Sequence, residues 1–471
     1  MSLLAGFDLV YAVTQQTINK QLQLLAVESV LPSKWQYQHP ENKFGIDADL
    51  GIPVVDMNTG DASSRKVLVH FPLNGGKINY LTIDVEKFTI VPKSANVVGW
   101  QLTLTINLSL AEIAAKLISE HKKIPSAVKQ QLTAFTEDLY EISHLFLNFE
   151  DADLVESYQL TAPNNTDMND PNVINQVKNI VQSLLNTLKG SDNPFIFGYT
   201  VNNKKPPASN ADFIPTGTTY SVYPEPAHLP RSTINFLSVT NGRKVPGVGY
   251  GIFTHNWVTT DDVQGAFVVA QNILMSKILP PLAEIMDAKA SDFKPSGTRL
   301  TLTKPNDRGG HITCTVTPMG GTNQILADFY SDFDQDVHDK AGSKVGNVTG
   351  YMKWTTTISF GFDKQNNLSV SVVNSPVEQS HTNHLNALGQ FEKVLAIFGD
   401  AIIKIFSFGF APNVFEDLIQ DDWKFNINAD LSVITADMKT RLVLPAGSEF
   451  FFKDAIMSSQ GHLTMTTTIR N

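Results

Sequence analysis

The strongest constraint on this chain is an alternation of apolar and polar residues with a period of two. Segments 66–71, 78–85, 100–108, 299–303, 354–362, 368–372 and 462–469 each read as a strand with one apolar face and one face rich in Thr and Asn. Thr suits the outer face because its β-branched side chain packs well on a pleated surface. Many of these segments are joined by short Gly, Asn and Asp stretches. Such joints are too short for a parallel crossover, so the sheets are expected to be antiparallel.

Four stretches switch to helical spacing. Over 8–27, Phe7, Val10, Tyr11, Thr14, Ile18, Leu22 and Leu25 recur at steps of three and four. A second helix follows Asp170 and Pro171, an N-cap and first-turn proline. Its stripe runs Val173, Ile174, Val177, Ile180, Val181, Leu184, Leu188, with Gly190 as its stop. A third is expected from the acidic cap at 259–262 through Val263, Phe267, Ala270, Ile273, Leu274, Ile278 and Leu279, with Pro280 and Pro281 kinking or ending it. A fourth spans 384–408, and shorter helices are expected over 110–121 and 126–140. The third and fourth are apolar nearly all round, which implies burial on most sides. A sheet curling around such a helix would enclose an elongated apolar cavity or groove.

The element order then repeats. Asp8-Leu-Val-Tyr-Ala-Val-Thr14 and Asp262-Val-Gln-Gly-Ala-Phe-Val268 open two halves with similar spacing, which suggests an internal duplication. The expected architecture is α+β with two modules in tandem. The first covers 1–256 and carries helical and Pro-rich insertions, the latter at 204–230. The second covers 257–471.

Composition narrows the function. Lys plus Arg is 36 and Asp plus Glu is 46, a net charge of −10, so a general nucleic-acid binder with a basic surface is not expected. The one cysteine, Cys314, excludes an internal disulfide framework and a cysteine-rich zinc site. Its setting among alternating apolar and Thr residues marks it as a buried strand position. The N-terminus has no basic region before its apolar run, and the apolar stretch 394–410 is broken by Gly399, Asp400 and Lys404. A cytoplasmic protein is expected, with release by a non-classical route left open.

Catalytic and metal motifs are missing. The chain has no His-Glu-x-x-His, nucleophile elbow or P-loop, and the glycines at 247–251 read as a turn or bulge. Asp328, Asp332, Asp334, Asp336 and Asp339 lack the glycine and glutamate of a calcium loop and read as a solvated loop. His381 and His384 read as the solvated start of the fourth helix, and His255 with Trp257 as a packing or hinge element. Neither a cofactor nor a metal site is expected.

Two segments carry a resemblance. Gly6-Phe-Asp-Leu-Val-Tyr-Ala-Val-Thr-Gln-Gln-Thr-Ile-Asn-Lys-Gln-Leu22 looks like the opening of the P-forty-seven proteins, which are encoded with OrfX proteins in botulinum-type neurotoxin clusters. Phe253-Thr-His-Asn-Trp-Val-Thr-Thr-Asp-Asp262 resembles their mid-chain segment. That family belongs to the tubular lipid-binding (TULIP) superfamily, in which long helices are wrapped by a strongly curved antiparallel sheet, often as two tandem modules. The resemblance implies a non-catalytic binder of lipid-like or other apolar ligands held between helix and sheet. Val10, Ile18, Leu22, Phe267, Ile273, Leu274 and Ile278 are the expected lining residues. Two alternatives stand beside it: a scaffold that contacts OrfX-like or toxin-associated proteins, and an enzyme acting on an apolar small molecule in the same cavity. Peripheral membrane contact is a further expectation.

Overall fold

The computed structural model describes residues 3–61, 65–84, 86–150, 154–190, 193–206, 213–247, 253, 255–306, 309–338, 342, 344–375, 378–385 and 439–470. The chain divides into two compact units. One comprises 1–268, 436–451 and 466–471, and the other 269–435 and 452–465. The fold mixes α and β, with antiparallel sheets.

The first unit contains a ten-stranded sheet. Its path runs Lys34–Gln38, Gly45–Leu50, Lys66–Asp84, Trp100–Glu112, Tyr140–Leu147, Ile196–Asn203, Leu442–Val443, with Val54–Asp56, Thr89–Asn96 and Gln159–Thr161 as side branches. Every pairing in it is antiparallel. The alternation read from sequence is the burial pattern observed: Val67, Val69, Phe71 and Leu73 are buried while the residues between them are half-buried. Register shifts at Asp49/Leu50 and Ile196/Gly198 bend the strands, as bulges do. Gly76 is required at one such bend. Its φ is +99°, and a Cβ there would lie 2.0 Å from the Asp47 carbonyl oxygen.

A second sheet has the order Pro215–Tyr223, Thr233–Thr240, Leu9–Thr14, Gly265–Val269, Leu463–Arg470, Glu449–Met457. It corrects the first helix. Residues 9–14 form a strand, and α1 starts only at Gln15 (Gln15–Val27). All six strand residues are buried, so both faces are apolar and the run mimics a helical stripe. Pairing with Thr233–Thr240 satisfies the backbone on one edge. Thr14 ends the strand and caps the helix, its hydroxyl accepting from Thr17 N at 3.2 Å.

Three polar side chains of α1, buried Gln15 and Gln21 and half-buried Asn19, each answer a backbone group. Asn19 exchanges two hydrogen bonds with Val55, of 2.9 and 2.8 Å. Gln15 accepts from Met57 N at 2.7 Å. Gln21 donates to Ser448 Oγ at 2.9 Å and accepts from Ala446 N at 3.1 Å.

The two shorter helices are trimmed relative to expectation, α2 to Ala115–Glu120 and α3 to Ser126–Leu132, and a single turn, α4 (Leu154–Ser157), forms where none was expected. α5 (Pro171–Leu188) forms where the cap and stripe place it. Asp170 accepts from Asn172 N at 2.8 Å, and Val173, Val177, Ile180, Val181, Leu184, Leu185 and Leu188 are buried.

In the second unit, one sheet runs Lys294–Ser296, Arg299–Pro305, His311–Met319, Gln324–His338, Lys344–Phe362, Leu368–Asn374, and Glu378–Leu385 also pairs with Lys344–Phe362. Ile312, Cys314 and Val316 face inward and Thr313, Thr315 and Thr317 outward. Cys314 is fully buried, and burial pushes its thiol pKa up. The acidic run is a strand rather than a loop. Asp328, Asp332, Asp334 and Asp336 take alternate positions on Gln324–His338, with Asp336 paired to Lys344 at 2.5 Å. Asp339 lies outside the described residues.

The third helix is also corrected. Its first part, Gly265–Val269, is a buried strand, and α6 (Gln271–Ile285) follows it. Pro280 and Pro281 sit inside α6 without ending it, because Leu282, Ala283 and Ile285 are buried and packing holds the last turn. The fourth helix does not begin at His384, which lies on the strand Glu378–Leu385, and 386–408 lie outside the described residues. Long apolar helices are therefore few among the described residues, and the longest, α5, has 18 residues. Both opening segments share one order, a buried strand followed directly by a helix.

Asp8 fixes the start of the first strand. It is 1% exposed. Its carboxylate accepts from Thr240 N at 2.9 Å, from Thr240 Oγ1 at 3.2 Å and from Arg243. Asp8→Ala strands the Thr240 donors but leaves Arg243 half-exposed, so the expected cost is about 1–3 kcal/mol, less than for a fully buried pair. Denaturant unfolding of the variant measures it.

Candidate functional site

A pocket of about 520 Å³ opens in the first unit where strand ends and helix ends converge. Glu112 closes the strand Trp100–Glu112, and Ile113 follows it. Leu117 and Glu120 come from α2, with His121 just after. His144 and Phe146 come from the strand Tyr140–Leu147, Asn148, Phe149 and Glu150 from the turn beyond, and Lys189, Gly190, Asn193 and Ile196 from the stretch after α5.

Local backbone chemistry sets these positions. Ile113 N donates to Ile142 O at 2.9 Å, which holds the end of one strand against the next. Asn193 is buried and works as a splice. Its Nδ2 donates to Leu147 O at 2.7 Å, and its Oδ1 accepts from Phe195 N at 2.9 Å. Asn148 Oδ1 accepts from Glu150 N at 3.0 Å and tightens the turn that carries Phe149. Phe149 packs edge-on to Phe195 at 5.5 Å, and Phe195 does the same to Phe71 at 5.7 Å. The pocket floor is thereby continuous with the core.

His144 and Phe146 are two apart on one strand, so they share a face. Their rings stack at 4.7 Å and 20°. Burial pushes the His144 pKa down to about 4; a hydrogen bond with the Ala111 backbone acts upward, and the neighbouring His121 adds to the fall. The imidazole is neutral at pH 7. Its Nδ1 is buried without a hydrogen-bond partner among the described residues. His121 Nδ1 accepts from Lys123 N at 3.0 Å.

The walls are thus Ile113, Leu117, Phe146, Phe149 and Ile196, and the carboxylates and Lys189 form the polar part. Leu117 is 51% exposed, an apolar side chain left facing water. A concave apolar surface with a few convergent polar groups is the usual form of a small-molecule site.

The seven residues named from sequence lie elsewhere. Val10 is on the strand Leu9–Thr14, Ile18 and Leu22 are on α1, and Phe267 is on Gly265–Val269, edge-on to Tyr11 at 4.3 Å and to Phe450 at 5.5 Å. Ile273, Leu274 and Ile278 are on α6 of the second unit. All seven are buried, and none lines this pocket. His255 packs edge-on to buried Trp257 at 4.3 Å. Sequence reading missed the pocket because its residues come from three stretches far apart in the chain, 112–121, 144–150 and 189–196; Leu117, exposed beside buried Ile118 on a short helix, was the one local signal. Among the described residues no cluster of His, Cys, Asp and Glu could hold a metal ion, and no helix is long and apolar enough to cross a membrane.

No protein-family model and no curated protein sequence matches the chain. Solved structures do. The fold is similar to that of solved structures from Clostridium botulinum. P47 from Clostridium botulinum A2 superposes with a TM-score of 0.56 at 12% identity, over 99% of this chain and 98% of that one. P47 of Clostridium botulinum E1 gives 0.56 and 12%, over 99% of each chain. A lipopolysaccharide binding protein gives only 0.32 at 8% identity, over 98% of this chain and 99% of that one. The chain resembles P47 in fold over nearly its whole length.

The neutral His144 has a consequence for stability. The unfolded imidazole protonates near its ordinary 6.5, the folded one only near 4. Protons therefore favour the unfolded chain between those values. Stability is expected to fall as pH drops from about 6.5 to about 4 and to lose nothing further from this group below that. Denaturation midpoints at pH 7 and pH 5 should differ less in His144→Gln than in the wild type.

Proposed function

We propose that this chain is a non-catalytic binding protein for lipid-like or other apolar ligands. The observation that carries the reading is the pocket walled by Ile113, Leu117, Phe146, Phe149 and Ile196, on a P47-like fold. Its polar groups sit among apolar walls, which suits an amphiphile with a long apolar body and a small polar end. Each CH₂ buried there contributes about 0.8 kcal/mol, so about ten buried methylenes match the roughly 8 kcal/mol of micromolar binding before the cost of association is met. No reaction step is needed to account for the polar residues.

The resemblance to the TULIP proteins adds a second place in the same reading. Val10, Ile18, Leu22 and Phe267 in one unit, and Ile273, Leu274 and Ile278 in the other, are closely packed. A ligand reaches them only if that packing opens, whereas the pocket beside His144 needs no such change. The scaffold and enzyme alternatives have no specific observation in their favour.

Leu117→Glu tests the reading at small cost to folding, because the side chain is already half in water. A fluorescent fatty acid should bind the wild type and lose at least about tenfold in affinity on the variant, since one Leu contact of roughly 1.5–3 kcal/mol is removed. Equal binding by both proteins, or by neither, contradicts the proposal for this pocket.

A further inference from the structure

The strands Lys66–Asp84 and Thr89–Asn96 form a hairpin in the first unit. Its root is held on several sides. Tyr80 OH and Lys93 Nζ both donate to Asp167 Oδ2 at 2.8 Å, and Gln176 exchanges two hydrogen bonds of 2.8 Å with the Leu81 backbone. Beyond that root the ribbon is two-stranded. Pairing with Gly45–Leu50 ends at Asn79, and Tyr80–Asp84 pair only with Thr89–Lys93 among the described residues.

The tip is apolar and uncovered. Ile83 and Ile90 are direct cross-strand partners, so they share one face; they are 49% and 69% exposed. Phe88 is 87% exposed, the highest of the large apolar side chains among the described residues. Its φ of +52° is a left-handed conformation that a bulky residue adopts at a cost. Asp84 holds that turn by accepting from Glu86 N and Lys87 N, both at 3.1 Å. A cluster of large apolar side chains in water marks an interaction site.

The size of the patch selects its partner. Three side chains of about 150–200 Å² each fall below the roughly 800 Å² per partner of a stable protein interface. An aromatic and two aliphatic residues on a narrow tip do suit shallow burial at the headgroup boundary of a bilayer. Asp84, Glu86 and Lys87 leave the tip one negative charge in excess, with Lys87 3.6 Å from Asp84, so anionic lipid is not what would draw it to a bilayer. We propose that this hairpin tip docks into the interfacial zone of a lipid bilayer through Phe88, Ile83 and Ile90. Attraction is apolar, so it needs no anionic lipid and depends little on salt.

The buried Cys314 makes the test clean, because it offers no accessible thiol to label. Phe88→Cys carrying an environment-sensitive dye should brighten and shift to the blue on addition of dioleoylphosphatidylcholine vesicles. In flotation assays the unlabelled wild type should rise with those vesicles at both 0.1 M and 1 M salt. The double variant Phe88→Ser, Ile90→Ser should lose at least about tenfold of that partitioning while keeping its circular dichroism and melting temperature. The proposal fails if the wild type does not float, or if the double variant floats as well as the wild type. It also fails if binding requires anionic lipid, or if the patch instead drives a concentration-dependent dimer in ultracentrifugation. The fatty-acid assay on Leu117→Glu reads the pocket separately, so either idea can fall alone.

Discussion

The first unit depends on the strand Leu9–Thr14 having both of its edges paired. All six residues are buried, so every backbone N–H and C=O must find a partner inside the protein. Thr233–Thr240 supplies one edge, and Gly265–Val269 is the neighbour on the other. These partners lie more than 200 residues away in sequence, and the sheet forms only when they come together. The close approach leaves no room for a side chain at Gly265, whose Cβ would sit 2.7 Å from the Ala12 carbonyl oxygen. Asp8 and Thr14 then mark the two ends of the strand, one by its carboxylate and one by its helix cap.

From that strand the rest of the unit follows in steps. α1 leaves directly from Thr14, and its Asn and Gln side chains tie Val55, Met57 and the 446–448 turn to it. The long sheet carries its apolar face inward through Phe71 and Phe195 to Phe149. Where strands end near Glu112 and Leu147, the core surfaces as the pocket. His144 belongs to both regions, its ring stacked on Phe146 and kept neutral by burial.

Much of this was legible in the sequence. The Thr-rich alternation of 312–316 located a strand and the burial of Cys314, and Asp170 with Pro171 located the start of α5. Two of the misreadings have one cause. Leu9–Thr14 and Gly265–Val269 are short strands buried on both faces, and each runs directly into a helix. An apolar run without alternation carries no period of its own, so the following helix lends it a false one. The acidic strand Gln324–His338 was missed because Asp is rare in strands, yet its cross-strand partners Thr355, Asn347 and Lys344 accommodate the charges. The pocket was not legible, because Leu117, Phe146 and Ile196 meet only through sheet pairing.

An apolar ligand in the pocket beside His144 is what the rest of the functional reading requires. Photo-crosslinking with a diazirine fatty acid, followed by peptide mapping, tests it most directly. Adducts should concentrate on the peptides that carry Ile113, Leu117, Phe146 and Phe149, and should be lost when excess oleate is added. Adducts spread over the surface, or unaffected by oleate, would contradict it.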